Sequence, residues 1–215
     1  MKVPLVLLGD HPLDVDIPYD HIIDGNVAAA RLATKHLVDL ERRRIAAIGD
    51  QGALSISNGS TRPRRLQGYT EALAEADLPV DLQLIMPGAS YNRVEGARAM
   101  RQLLALEQPP DAVFCFNDLL ALGAMRALYE AGLRIPEDVA VMGFDDIEEA
   151  RFAIHSLTTI APDKQQTGEL AVSFLLGRIE GTRTGPPERV EVPFRLIVRE
   201  STGATTRTEE VSTPD

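Results

Sequence analysis

The 215 residues predict an α/β protein built on a mostly parallel sheet. Three observations carry this. Short apolar runs alternate along the chain with amphipathic stretches at helical spacing. Residues 112–146 read as strand, helix, strand, with a crossover long enough to make the two strands parallel. Polar residues, mostly Asp and Asn, follow directly after the apolar runs, at the carboxyl ends where open parallel sheets bind ligands.

Each element has its own warrant. Residues 3–8 form a near-continuous apolar run and predict a strand buried on both faces. Residues 21–23 predict a second, short strand. Over 26–40, Val27, Ala30, Ala33, Leu37 and Leu40 recur on one helical face. Residues 45–48 predict a strand ending at Gly49-Asp50, and the Ser-, Gly- and Asn-rich 51–61 a loop. Pro63 suits a first helical turn, and that helix runs to about Ala76 with Leu66, Tyr69, Leu73 and Ala76 inward. Residues 82–86 predict a strand closed by Pro87-Gly88. Val94, Ala97, Met100, Leu103 and Leu104 mark a helix that stops before Pro109-Pro110. In the 112–146 unit, strands at 112–116 and 139–144 flank a helix at 119–131, and Gly132 supplies the positive φ of a helix C-cap. Residues 147–156 read as irregular and 157–160 as short and extended. Residues 163–180 form a helix ending at Gly181, with Leu170, Phe174 and Ile179 apolar. Residues 190–198 alternate enough for a last strand. The polar 204–215 has no period and reads as a disordered tail.

Composition excludes several functions. Apolar content of 44% and charge content of 25% are ordinary for a globular chain, and the net charge is −10. Gripping nucleic acid or an anionic membrane needs clustered Lys and Arg, which this balance opposes. The single cysteine, Cys115, lies in an apolar strand and reads as a buried thiol in a reducing compartment. Residues 1–8 are too short for a secretory signal, and no apolar run approaches the roughly 18 residues of a membrane span, so a cytoplasmic location is expected. There is no G-x-G-x-x-G, G-x-x-x-x-G-K-[ST] or G-x-S-x-G, and the four His are scattered. No enzyme activity, metal or cofactor is therefore expected. The run Asp145-Asp146-Ile147-Glu148-Glu149 has the oxygens for Mg²⁺ but no phosphate loop to support it.

The candidate site lies where strands end: Asp10, Asp24, Asp50, Asn117-Asp118 and Asp145-Asp146. Asp and Asn also favour helix caps and turns, so each residue alone reads either way. Together they suit a polyhydroxyl ligand, because a carboxylate accepts from two vicinal hydroxyls and a carboxamide donates and accepts. Arg62, Arg64 and Arg65 open a helix whose dipole they oppose, which points at least one of them to a ligand or acidic partner. Tyr91, between a turn and a helix, either stacks on a sugar ring or plugs the core.

The phrases VFCFNDLLALGAMRAL, GLRIPEDVAVMGFDDIEEARF and SLTTIAPD resemble the LacI/GalR family of bacterial transcription regulators; RRIAAIG, RRLQGYTEAL and PPDAVFCFND continue the match in the family's order. The resemblance covers about residues 3–202. It implies a periplasmic-binding-protein-like type I fold, with two Rossmann-like lobes of parallel sheet, three crossovers and a small ligand in the cleft. The implied division is 1–24 plus 158–188 for the N-terminal lobe, 25–157 plus 189–203 for the C-terminal lobe, and 204–215 for the tail. By motif, Arg65 would bond ligand hydroxyls or a ring substituent, Tyr91 would stack on the ligand, and Asn117 and Asp145 would fix hydroxyls. Asp10 and Asp24 would approach from the other lobe and crossover, and Asp118 would cap its helix. Glu41 and Asp77 stand where the family usually ends a helix with Gly, which implies left-handed backbone at both. The family's helix-turn-helix and about two β-α units of the first lobe are missing from the chain, so that lobe is expected to be incomplete. The implied function is effector sensing in a cytoplasmic homodimeric regulator, with a sugar as ligand and operator DNA reached only through the missing helix-turn-helix. The alternative, a solute-binding protein of a sugar transport system, shares the cleft but needs an export signal.

Overall fold

The computed structural model describes residues 3–9, 18–50, 61–88, 90–203 and 210–212, with backbone alone for 50, 61, 62 and 210–212. Asp10 and the loop expected at 51–60 lie outside the described residues, as do the side chains of Asp50 and Arg62.

The chain runs β1 (Val6–Leu8), β2 (Asp20–Ile23), α1 (Asn26–Asp39), β3 (Ile45–Asp50), α2 (Thr61–Glu75), β4 (Ile85–Pro87), α3 (Arg93–Leu104), β5 (Ala112–Cys115), α4 (Asp118–Glu130) and β6 (Ala140–Phe144). It continues through α5 (Glu148–Phe152), β7 (Thr158–Pro162), α6 (Lys164–Glu180), β8 (Arg189–Glu191), β9 (Phe194–Ile197) and β10 (Glu210–Ser212). The strands form a three-stranded parallel sheet, β1-β2-β8, and a seven-stranded sheet, β10-β9-β7-β6-β5-β3-β4. The larger sheet is parallel from β4 to β7, with β9 and β10 antiparallel at one edge.

The large sheet is covered on both faces, and period-two alternation sorts its side chains between two cores. Ile45, Ala47, Ala112, Phe114, Met142 and Phe144 pack with α1 and α2 residues such as Ala33, Leu37, Tyr69 and Leu73. Ala46, Ile48, Val113, Cys115 and Val141 pack with α3 and α4 residues such as Met100, Leu103, Leu120 and Leu128. Cys115 is fully buried, and burial drives its thiol far above the usual range, which leaves it unreactive. Glu41 and Asp77 have φ of 60° and 55°, the left-handed backbone implied for them.

Several expectations change. β1 is half-buried rather than covered on both faces, because it is an edge strand of the smaller sheet. Residues 82–84 form a 3₁₀ turn capped by Asp81, which accepts from Gln83 N–H at 2.9 Å, so the strand there is only β4. The stretch read as irregular contains α5. Val27, Leu40, Val94 and Ile179 are not among the buried residues of their helices; those of α1 are Asn26, Ala29, Ala30, Ala33, Thr34 and Leu37. The stretch 190–198 is two strands in two sheets, divided at Val192-Pro193, where proline cannot donate to a ladder. Within the tail read as disordered, Glu210–Ser212 pairs with β9.

The chain crosses between the sheets three times: from β2 into α1, from β7 into α6, and from β8 into β9. The second and third crossings fall later than the expected 157/158 and 188/189, since β7 lies in the large sheet and β8 in the small one. Side by side, the crossings are bonded: Val192 N–H donates to the Ile23 carbonyl (2.9 Å) and Asp163 N–H to that of Pro193 (3.0 Å).

Candidate ligand-binding site

β3 lies between β4 and β5, so the chain reverses across it and the carboxyl ends of β3 and β5 form a topological switch point. Arg65 reaches this crevice from the start of α2 and is only 5% exposed. Its Nε donates to Asn26 Oδ1 (2.6 Å), on the first crossover. Its Nη1 donates to the Phe116 carbonyl at the end of β5. Its Nη2 lies 3.8 Å from Asp145 Oδ1, beyond β6, and the guanidinium stacks 3.4 Å above the Phe144 ring. The arginine thus joins three segments that meet at the rim.

Asp145 is half-buried. Burial pushes its carboxyl above the usual range; Arg65 and Lys164 pull it back and Asp24 pushes it further up. Asp24, beyond β2, and Lys164, opening α6, therefore stand close enough to act on Asp145 from two crossovers.

The cap of α4 is Asn117 and not, as expected, Asp118. Asn117 is extended (φ −155°, ψ 169°) and caps α4, its Oδ1 accepting Leu120 N–H at 2.9 Å. Its Nδ2 donates to the Tyr91 carbonyl at 3.4 Å. Asp118 is already helical and fully buried; its Oδ2 accepts Ile147 N–H (2.9 Å) and its Oδ1 the Thr159 hydroxyl (2.7 Å). Burial pushes the Asp118 carboxyl up to about 7, against those two donors and with Asp145 and Asp146 adding to the rise. The Tyr91 ring packs against the apolar clusters on both faces of the sheet.

Arg65 and Asp145 are thus brought together, with Asp24 near enough to act on Asp145 and with Tyr91 and Asn117 joined to each other beside them. Asn26, Lys164 and Thr159 also matter and were missed. Asn26 carries a local signal, a polar side chain heading a helix just after Asp24-Gly25. Thr159 does not, because its partner is 41 residues away in the chain. The acidic run 145–149 does not converge on a cation site: Asp146 pairs with Arg199 (2.6 Å) and Arg151 (3.2 Å), and Glu149 with Arg93 (2.9 Å). Burial alone would raise the Asp146 carboxyl, but Arg199 and Arg151 hold it below the usual range. Carboxylate acceptors around a buried guanidinium suit a ligand with several hydroxyls.

Residues 34–202 match the family model of the periplasmic binding protein-like domain. The HTH-type transcriptional repressor PurR of Haemophilus influenzae (strain PittEE) is 37% identical over 202 residues, covering 93% of this chain and 57% of the relative. The chain thus spans just over half the length of the curated relatives it matches. A structure described as a transcriptional regulator of LacI family from Sanguibacter keddieii DSM 10542 is 43% identical with a TM-score of 0.85, covering 94% of this chain and 74% of the other. A transcriptional regulator CelR–cellobiose complex is 32% identical with a TM-score of 0.82, covering 93% and 65%.

Proposed function

Since the chain belongs to the LacI family of transcription regulators and carries its periplasmic binding protein-like domain, we propose that it senses a small effector, a sugar, between its two sheets. The observation that carries this reading is the pairing of Arg65 and Asp145, from different segments, at the switch point of a parallel sheet. A related regulator in complex with cellobiose supports a sugar. The ligand closes the sheets on one another by bonding Asp145 from one side and the crossover carboxylate Asp24 from the other. Only contacts that differ between the open and closed states shift that equilibrium. The shift controls operator binding by a helix-turn-helix that is not found among the described residues. We place the protein in the cytoplasm and assign it binding rather than catalysis. The regulator relatives favour this reading over transport. No helix among the described residues is long and apolar enough to cross a membrane.

The working form is a homodimer, paired through the apolar face that α4 shares with the end of α5 and the segment after it. Tyr129, Phe152 and Ile154 are exposed there.

The test is calorimetric titration of the chain with a panel of mono- and disaccharides, nucleosides and sugar phosphates. A saccharide should bind, and Asp145→Ala should weaken it about tenfold or more, the loss of one charge-assisted hydrogen bond. Saccharides that bind Asp145→Ala as tightly as wild type would remove Asp145 from the site. Binding of nucleosides alone would overturn the sugar.

A further inference from the structure

The turn that presents Asp145 is held against its own preference. Asp145 has φ 113° and Asp146 φ 47°, two consecutive non-glycine residues in left-handed backbone. Relaxed to negative φ, the pair would carry the Asp145 carboxylate away from Arg65. Three backbone bonds oppose this. Asp145 N–H donates to the Ile160 carbonyl (2.8 Å). Asp146 N–H donates to the Thr159 hydroxyl oxygen (3.4 Å), and Ile147 N–H to Asp118 Oδ2 (2.9 Å). Thr159 keeps that lone pair turned to Asp146 by giving its own hydrogen to Asp118 Oδ1 (2.7 Å). Two of the three N–H groups therefore depend on one buried carboxylate, directly or through Thr159. Without Asp118, Thr159 has another acceptor, the Ile160 carbonyl at 3.3 Å. Gly143 lies so close beneath the carboxyl that a side chain there would take its place. Asp146 and Lys164 add outer ties, the first through Arg199 and Arg151, the second by donating to the Asp146 carbonyl (3.3 Å).

We propose that Asp118 is a positioning residue of the site: it touches no ligand and acts by holding the 145–147 turn so that Asp145 faces Arg65. The proposal rests on the reading of Asp145 as a ligand contact.

The experiment is a ¹³C-detected pH titration of the Asp145 carboxyl in the ligand-free chain, in wild type, Asp118→Asn and Asp118→Ala. Burial holds this carboxyl above the usual range, so it reports where the side chain sits. Asn keeps an acceptor for Ile147 N–H and a bond to Thr159 but cannot ionise; Ala cannot ionise and removes both bonds. In Asp118→Ala the Asp145 midpoint should fall about half a pH unit or more below that of Asp118→Asn, toward an exposed aspartate. Faster exchange of the Ile147 N–H should appear only in the Ala variant. Equal midpoints in the two variants would leave a charge effect alone and overturn the positioning role. If Asp118→Ala does not fold, Thr159→Val breaks the relay in its place. It should move the midpoint the same way, and a wild-type midpoint would overturn the proposal. Failure of the ligand-contact reading shows separately, as Asp145→Ala binding at wild-type affinity.

Discussion

Arg65 sits where a ligand contact and a structural tie compete for the same donors. Its hydrogen bonds to Asn26 and Phe116 and its ion pair with Asp145 are made by a guanidinium almost out of solvent. Removing the guanidinium leaves Asn26 Oδ1 and the Phe116 carbonyl without their donor, so Arg65→Ala should cost about 2 kcal/mol or more in urea unfolding. Arg65→Lys should recover little of it, since an ammonium cannot fork to both acceptors and stack on Phe144 at once. Full stability in the Ala variant would mean that the arginine is held for ligand alone. Two buried groups set opposite pH dependences. His36 shares a 3.0 Å hydrogen bond with Thr202, and burial holds its imidazole below the usual range, with Asp39 opposing. The unfolded state then binds the extra proton, so stability present above about pH 6.5 is lost on acidification. Asp118, raised to about 7, binds its proton in the folded state, so its contribution declines as pH rises from about 4 to 7. Denaturation midpoints should therefore fall less on acidification in His36→Gln than in wild type. Asp118→Asn should lose the decline on the way up to neutrality; parallel wild-type and variant curves would sink both assignments. In the sequence, Asn117-Asp118 showed that polar groups follow a strand. Which residue caps and which is buried depended on where φ and ψ turn helical, and that is set by contacts with Thr159 and Ile147.

At the level of elements, periodicity located the helices well because both layers bury a clear stripe. It located strand ends poorly. Residues 190–198 alternate throughout, yet alternation says nothing about which sheet a strand joins. Only Pro193, between β8 and β9, hints at the division. Glu41 and Asp77 were legible as helix ends because the family pattern places Gly there, and their positive φ follows. Close helix approach was not legible. Gly123 of α4 faces the backbone of α3, where an added Cβ would lie 2.8 Å from Ala97 N. Gly123→Ala should therefore force α3 and α4 apart and cost about 1–3 kcal/mol. For a domain of this size that corresponds to a fall of roughly 2–4 °C per kcal/mol in a thermal scan. An unchanged melting temperature would mean that the helix pair slides without penalty.

At the scale of the whole molecule, the division into two sheets followed from family resemblance and not from residue patterns, because β2 and β7 read alike as short strands and β8 and β9 read as one. What a pattern could not supply is which outer faces stay uncovered. Around α4 and the segment after α5, Leu122, Met125, Tyr129, Leu133, Ile135 and Ile154 line a cavity of about 180 Å³. Ile154 on its rim is 84% exposed, and the nearby Phe152 79%. Large apolar side chains standing in water around a concave apolar patch are what an isologous pair can bury, each copy inserting its ridge into the other's cavity. α6 offers a second apolar face, with Val172, Leu176 and Ile179 exposed along a single helix. If the α4–α5 face pairs two copies, Phe152→Asp and Ile154→Asp should each raise the dimer dissociation constant about 30-fold, the effect of losing an anchor worth about 2 kcal/mol. Light scattering across a dilution series would read this as a shift to the monomer mass, with an unchanged unfolding midpoint in the monomer. Dimers that persist in both variants and dissociate with Val172→Asp or Ile179→Asp would move the interface to α6. The two outcomes have different consequences for signalling. Pairing through α4 and the segment after α5 joins copies beside the turn that carries Asp145, so the effector and the two-fold axis would act on adjoining segments. Pairing through α6 would instead join the small sheets, and closure of the cleft would have to move the interface itself.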